Sequence, residues 1–319
     1  MKIVIIGSGL AGVTAAEALA RNHDVSLVTA ERHGYYSRPR LSHGMSGDDA
    51  AAARIVLKPF AALAPVKVFP GTNVEAVDRR AKVVWLPDGA NLKYDVLIIA
   101  TGSAARIPPV LAPYRFAFRT LNSLEDLLTL RARRAARLAR GTKPRWAIIG
   151  GGLIGCELAS DLNAAGDAVT ILHREDRLLE LQLDEGQSAA LLEHFEGCGV
   201  EVRLRQDVRS IDPDAFDETV VCTGFVPRIE LARDAGLQVG RGIIVDSFLR
   251  TADESIFAAG DVAEVGGRLY PFVSPIRSQA LWLAEHIEGR SPAPWTPPRF
   301  SPIAKIVGFK LAAAALTPA

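Results

Sequence analysis

The sequence predicts an α/β chain made of two doubly wound, dinucleotide-binding units. Three observations carry that expectation. A glycine motif occurs twice, as Gly7-Ser8-Gly9-Leu10-Ala11-Gly12 and as Gly150-Gly151-Gly152-Leu153-Ile154-Gly155. Each copy follows a short apolar run, Lys2–Ile6 and Arg145–Ile149, of the kind shown by strands buried on both faces. The length, 319 residues, suits two domains.

Composition removes other classes. Three cysteines are too few, and odd in number, for a disulfide-stapled scaffold. With 49% hydrophobic residues the chain can build a large core, which excludes disorder. Lysine and arginine total 37 against 36 acids, so nothing global points to nucleic acid or an anionic membrane. No apolar run approaches the ~20 residues that span a bilayer. Gly7, Gly9 and Gly12 interrupt the apolar N-terminus too early for a signal peptide, so a cytoplasmic location is expected. No Cys/His cluster has metal-ligand spacing.

In the first unit, Gly7 permits the tight turn, Gly9 lets a pyrophosphate approach the backbone, and Gly12 lets the helix pack on the sheet. The helix N-terminus then offers unpaired N–H groups to phosphate. A helical stripe of Val13, Ala16, Leu19 and Ala20 leads to a second strand, Val25–Thr29. Glu31, 19 residues after Gly12, stands where an acid accepts hydrogen bonds from ribose hydroxyls. In the second unit Gly150, Gly152 and Gly155 take the same three roles, and Asp167–Leu172 is the following strand. Here no acid stands at the counted position: His173 lies 18 residues after Gly155 and is followed by Arg174. A cation there accommodates a 2′-phosphate, which favours NADPH, whereas the nearby Glu175 argues the other way. Two dinucleotides in one chain are most economically an electron donor and an electron acceptor.

At this point the sequence resembles the pyridine-nucleotide–disulfide oxidoreductase superfamily over roughly residues 1 to 290. Tyr94–Ser103 resembles its A-T-G segment, with Ala100, Thr101 and Gly102; Val221–Arg228, with Gly224, resembles the segment on the way back. Ser255–Ala263, with Gly260 and Asp261, resembles the second FAD motif, and Pro271–Pro275 the stretch closing over the flavin. Tyr36–His43 resembles the signature of rubredoxin and flavorubredoxin reductases. The resemblance implies that Arg38 and Pro39 line the FAD adenosine and pyrophosphate, that Asp261 bonds the ribityl chain, and that His43 approaches the isoalloxazine. An ordinary loop histidine is the other reading of His43. Glu157 matches a glutamate near the nicotinamide, against the alternative of a first-turn residue favoured by the helix dipole.

Disulfide-reducing members of the superfamily carry a C-x-x-x-x-C pair beside the flavin, but residues 35 to 50 contain no cysteine. Cys156, Cys198 and Cys222 are far apart, and Cys156 reads as a packing residue. The resemblance therefore implies hydride transfer from NAD(P)H to FAD, then electron delivery to a small carrier protein of the rubredoxin or ferredoxin type. An oxidase or diaphorase, and a catalytically weak nucleotide-binding regulator or subunit, are the alternatives.

The implied organisation is an interrupted FAD domain, residues 1–109 and 226–290, enclosing an NAD(P) domain at 110–225. Residues 291–319 are expected to be a proline-rich linker and the remnant of a C-terminal interface domain, with Phe300–Phe309 as its first strand. Strands are expected at Val66–Phe69, Val74–Val77 and Lys82–Leu86, with a turn at Pro87-Asp88-Gly89. Residues 131–145 hold seven basic residues and no acid, behind an apolar stripe of Leu124, Leu127, Leu128, Ala135 and Leu138. That helix is either a solvated face or a docking site for an acidic protein.

Overall fold

The computed structural model describes residues 1–46, 53–207, 215–300 and 304–310. In chain order its framework is β1 (Lys2–Ile6), α1 (Leu10–Leu19), β2 (Asp24–Val28), β3 (Lys67–Phe69), β4 (Val96–Ile99), β5 (Arg119–Thr120), α2 (Leu124–Leu138), β6 (Arg145–Ile149), α3 (Leu153–Ala164), β7 (Ala168–Leu172), α4 (Glu185–Gly197), β8 (Glu201–Arg203), β9 (Glu218–Val221), β10 (Ile256–Ala258) and α5 (Val273–Ile287). Two five-stranded sheets result, ordered β10-β4-β1-β2-β3 and β5-β9-β6-β7-β8. Every pairing within them is parallel. In each sheet the strand that feeds the glycine turn lies centrally. Ile5 sits between Leu27 and Ile98, and Ile148 between Ile171 and Val220. This burial on both faces is what the continuous apolar runs encode.

The chain leaves the first sheet after β4 and returns to it with β10. The two crossings are joined, because Ser103–Ala105 pairs antiparallel with Phe225–Pro227. A three-stranded meander at Ala76–Asp78, Val83–Trp85 and Asn91–Lys93 forms a sheet of its own that shares the core of the first sheet through Val77, Val84 and Leu86. The expected strand at Val66–Phe69 is not part of it: Lys67–Phe69 is β3, the edge of the first sheet. The small residues Ala11, Gly12, Ala15 and Ala16 on the buried face of α1 let that helix lie close to its neighbours, α5 among them.

The basic helix α2 keeps much of its basic face exposed to solvent, and three of its arginines are also paired within the protein. Ser123 caps it reciprocally with Asp126, and its buried stripe is Leu124, Leu127 and Leu130, while Leu128 and Leu138 are exposed. Its arginines turn onto acids at the strand starts. Arg133 Nε donates to Glu218 at 2.7 Å, Arg137 Nη1 to Asp217 at 3.0 Å, and Arg134 Nε to Asp167 Oδ2 at 2.6 Å. Trp146 Nε1 also donates to Asp167, whose side chain is 1% exposed. Burial opposes ionisation of Asp217, but the Arg145 N–H and guanidinium, with Arg137, outweigh it and hold that carboxyl below its usual range. Arg134→Ala leaves the Asp167 carboxylate buried without its counter-charge, so we expect a loss of about 3–5 kcal/mol in urea unfolding.

Residues 304–310 also depart from expectation. Instead of an extended strand they form a tight turn with an isolated Ile306–Phe309 bridge. Ala304 and Ile306 are buried in the core that contains α3 and α4, and Val307 N–H donates to Ser160 on α3.

Candidate functional site

The two glycine turns repeat each other. Gly7 and Gly150 have φ of +107° and +114°, and a Cβ on either would strike the carbonyl of Ala100 or Cys222 on the adjacent strand segment. A Cβ on Gly12 or Gly155 would strike the carbonyl of Gly7 or Gly150, so these glycines set helix-to-turn packing. Gly9 and Gly152 differ from the others: a Cβ there meets nothing within 4 Å. Both are N-cap residues without a side-chain cap, so the first-turn N–H groups of α1 and α3 face the open space beside them. That is the geometry that receives a pyrophosphate.

Around the first turn, Glu31 is held by two donors on Oε1, Tyr36 Oη at 2.7 Å and Arg38 Nη2 at 3.0 Å. Burial pushes the Tyr36 phenol up, so it stays a donor. Arg38 Nη1 reaches the Asn122 carbonyl at 2.8 Å. Asp261 follows β10 and accepts from Ser103 Oγ at 2.7 Å. Burial raises its pKa, partly offset by Ser103 and Arg38. A carboxylate in this setting gains from further hydroxyl donors, as a ribityl chain supplies.

One motif escaped the sequence reading. Thr101-Gly102-x-x-x-Arg106 and Thr223-Gly224-x-x-x-Arg228 are copies of one pattern, lying on the paired crossing segments. Their bonds are reciprocal. Thr101 Oγ1 donates to Arg228 O and Thr223 Oγ1 to Arg106 O, at 3.0 and 2.7 Å, while Arg106 N donates to Gly224 O and Arg228 N to Gly102 O. The two units are thereby clasped by a pseudo-two-fold ladder. Only the antiparallel pairing makes the repeat meaningful.

Glu157, in the second turn of α3, joins three segments. Ser42 Oγ donates to Oε2 at 2.6 Å and Lys305 N to Oε1 at 3.0 Å. One turn on, Asp161 accepts from the N–H groups of Met45 and Ser46 and from Ser46 Oγ. The Arg38–His43 3₁₀ helix is thus fixed to the second unit, and its Leu41 is buried in that unit's core. His43 lies behind the cavity wall, with Nε2 3.6 Å from Oε2 of the wall residue Glu157. Ser42 holds the wall position instead, because the 3₁₀ turn points adjacent residues in different directions.

At the end of β7, His173 is buried. Its Nδ1 accepts from Gly151 N–H at 2.9 Å, so its hydrogen is on Nε2, which donates to Glu180 Oε2 at 3.1 Å. Arg174 is 85% exposed, and its Nε and Nη2 both donate to Glu175 Oε1.

The three cysteines are free. Burial pushes the thiol of Cys156 up, and that of Cys222 up to about 12, so both stay protonated and inert. Among the described residues no cluster could hold a metal, and no helix is long and apolar enough to cross a membrane.

All of this converges on one cavity of about 2130 Å³. Gly7 and Gly9, Glu31, Arg38, Pro39, Ala100 to Gly102, Gly260 and Asp261 line one part; Gly150, Gly152, Glu157, Arg174 and Gly224 also line it. Single-ligand pockets run to about 1,000 Å³, so the space suits two large ligands. A chain that brings two dinucleotide turns to one cleft, without a thiol pair, is of the flavin- and pyridine-nucleotide-dependent class of oxidoreductases.

Comparison with known proteins places it more closely. The family model for pyridine nucleotide-disulphide oxidoreductase matches residues 1–278. The chain is 33% identical over 306 residues to the nitric oxide reductase FlRd-NAD(+) reductase of Salmonella paratyphi C, covering 90% of this chain and 79% of that one. Among solved structures it is similar to NADH:rubredoxin oxidoreductase from Clostridium acetobutylicum, with a TM-score of 0.84, 27% identity, and coverage of 96% and 80%. It is also similar to putidaredoxin reductase in its covalent complex with putidaredoxin, with a TM-score of 0.83, 29% identity, and coverage of 94% and 78%. The chain belongs to the pyridine nucleotide-disulphide oxidoreductase family and is an FAD-dependent NAD(P)H oxidoreductase.

Proposed function

We propose that this protein carries electrons from a reduced nicotinamide dinucleotide to a small iron protein of the rubredoxin or ferredoxin type. The observation that carries the reading is the single cleft into which both glycine turns open. FAD is assigned to the first turn, with Gly7, Gly9, Glu31, Arg38, Thr101 and Asp261 as its holders and Gly12 as helix packing. The nicotinamide dinucleotide is assigned to the second turn, with Gly150, Gly152 and Glu157, and Gly155 again as packing. The domains follow, 1–109 with 226–290 for FAD and 110–225 for the donor. The cytoplasm is the compartment that suits this chemistry.

FAD held by Gly7, Gly9, Glu31, Arg38, Thr101 and Asp261 would supply the chemistry of hydride acceptance and single-electron donation. The protein's own work is placement. The uncapped starts of α1 and α3 hold the two pyrophosphates, and Glu31 and Asp261 orient sugar hydroxyls. Glu157, fixed by Ser42 and Lys305, ties the wall of one unit to the helix of the other, which fixes the two halves of the cleft relative to each other. Cys222, protonated in the wall, takes no part in a thiol relay. The acceptor class is drawn from the similar proteins, which are named for flavorubredoxin, rubredoxin and putidaredoxin.

The test is anaerobic turnover of the yellow protein with a nicotinamide donor and oxidised rubredoxin or a [2Fe–2S] ferredoxin. Reduction of the iron protein far above the rate of oxygen consumption in air supports the reading. Donor oxidation by oxygen alone, indifferent to either carrier, overturns it in favour of an oxidase.

A further inference from the structure

The turn at 304–310 rests on the buried side chains of Ala304 and Ile306, while Lys305 and Val307 face outward and are held by their peptide groups. Lys305 N donates to Glu157 Oε1 at 3.0 Å, and Val307 N to Ser160 Oγ at 2.9 Å. Glu157 and Ser160 stand three apart on α3 and so share one helix face. That face receives N–H groups two residues apart on the turn. Phe300 and Lys305 both line the cleft.

The other side of Val307 is held from α4. His194 Nε2 lies 2.9 Å from Val307 O, and because a carbonyl only accepts, the ring hydrogen is on Nε2. The same ring packs on Phe309, with centroids 5.1 Å apart. Gly308, at φ +73°, lets the chain pass so close that a Cβ there would stand 3.4 Å from His194 Cε1. Among the described residues the turn pairs with no strand, so Ser160 and His194 satisfy peptide groups that a sheet would otherwise take. Glu157 is in turn oriented from two directions, by Ser42 on Oε2 and by Lys305 N–H on Oε1. A second partner is within reach of a loosened carboxylate. His43 Nε2 is buried without a hydrogen-bond partner, 3.6 Å from Oε2.

We propose that His194 and Ser160 are positioning residues, which latch the turn at 304–310 so that its Lys305 N–H fixes the Glu157 carboxylate in the cleft wall. The proposal rests on the assignment of the second glycine turn to the nicotinamide dinucleotide. Neither residue lines the cleft, so both act at a distance. The route runs from His194 to the Val307 carbonyl, along two residues of backbone to the Lys305 N–H, and from there to Glu157. Unlatching removes one of the two bonds that aim the carboxylate and lets it turn towards His43. A misaimed group in the wall slows a reaction that depends on placement.

The test pairs stopped-flow bleaching of the anaerobic holoenzyme, at saturating NADH and at saturating NADPH, with the rate of tryptic cleavage after Lys305. His194→Phe keeps a ring on Phe309 but loses the donor, and His194→Gln restores an N–H. With the donor that reduces the parent faster, His194→Phe and Ser160→Ala are expected to bleach about fivefold more slowly and to be cleaved about fivefold faster, the effect of one lost hydrogen bond. His194→Gln should return to the parent on both measures. On a Glu157→Ala background, His194→Phe should slow bleaching no further. Faster cleavage with bleaching at the parent's rate overturns the proposal alone, as does a fivefold loss that persists on the Glu157→Ala background. A parent that neither donor bleaches defeats the donor-site assignment, and the proposal goes with it.

Discussion

Gly9→Val is expected to yield folded, colourless protein. A Cβ at this position meets no protein atom within 4 Å, so the substitution leaves the packing of α1 and β1 intact. The isopropyl group instead fills the space in front of the uncapped helix start, where the FAD pyrophosphate is assigned. Two charge-assisted backbone bonds at about 1.5 kcal/mol each are lost, so FAD binding weakens by about 100-fold or more. The measurement is flavin absorbance per mole of purified protein, with circular dichroism as the check on folding. Gly12→Val makes the useful contrast, because its Cβ strikes the Gly7 carbonyl and damages the fold itself. Protein that stays fully yellow with Gly9→Val contradicts the assignment of the first turn to FAD.

Gly152→Val should give the opposite phenotype, yellow protein that a nicotinamide donor fails to reduce. Its Cβ likewise points into open space, and Gly150 and Gly155, which set the turn and the helix packing, are untouched. FAD content should match the parent. The reduction rate at low donor concentration should fall about 100-fold, by the same loss of pyrophosphate contacts. Stopped-flow bleaching against donor concentration measures it. Normal reduction would move the donor site away from the second turn.

The framework was legible because its signals are local. Within each unit the apolar strand, the glycine motif and the strand that follows lie within about thirty residues, with Glu31 closing the first, and the structure forms each of those elements. What the sequence hid depends on partners far along the chain. The arginines of α2 look unpaired because Asp167, Asp217 and Glu218 come from distant strands. The Thr-Gly-x-x-x-Arg repeat acquires its meaning only when residues 103 to 105 pair with 225 to 227. Ser42 took the wall position expected of His43 because a 3₁₀ turn sets side-chain direction, and one residue of phase decides it. The stretch at 304–310 packs on α3 and α4 instead of extending as a strand.

The central claim is that one cleft brings a nicotinamide donor to a bound flavin. The most direct test is to mix the anaerobic holoenzyme with excess NADH in a stopped-flow instrument and follow the flavin absorbance. The account predicts complete bleaching with a rate that saturates in NADH, followed by recovery of colour when an oxidised rubredoxin-type protein is added. A bound flavin that keeps its colour at saturating NADH and at saturating NADPH would contradict it.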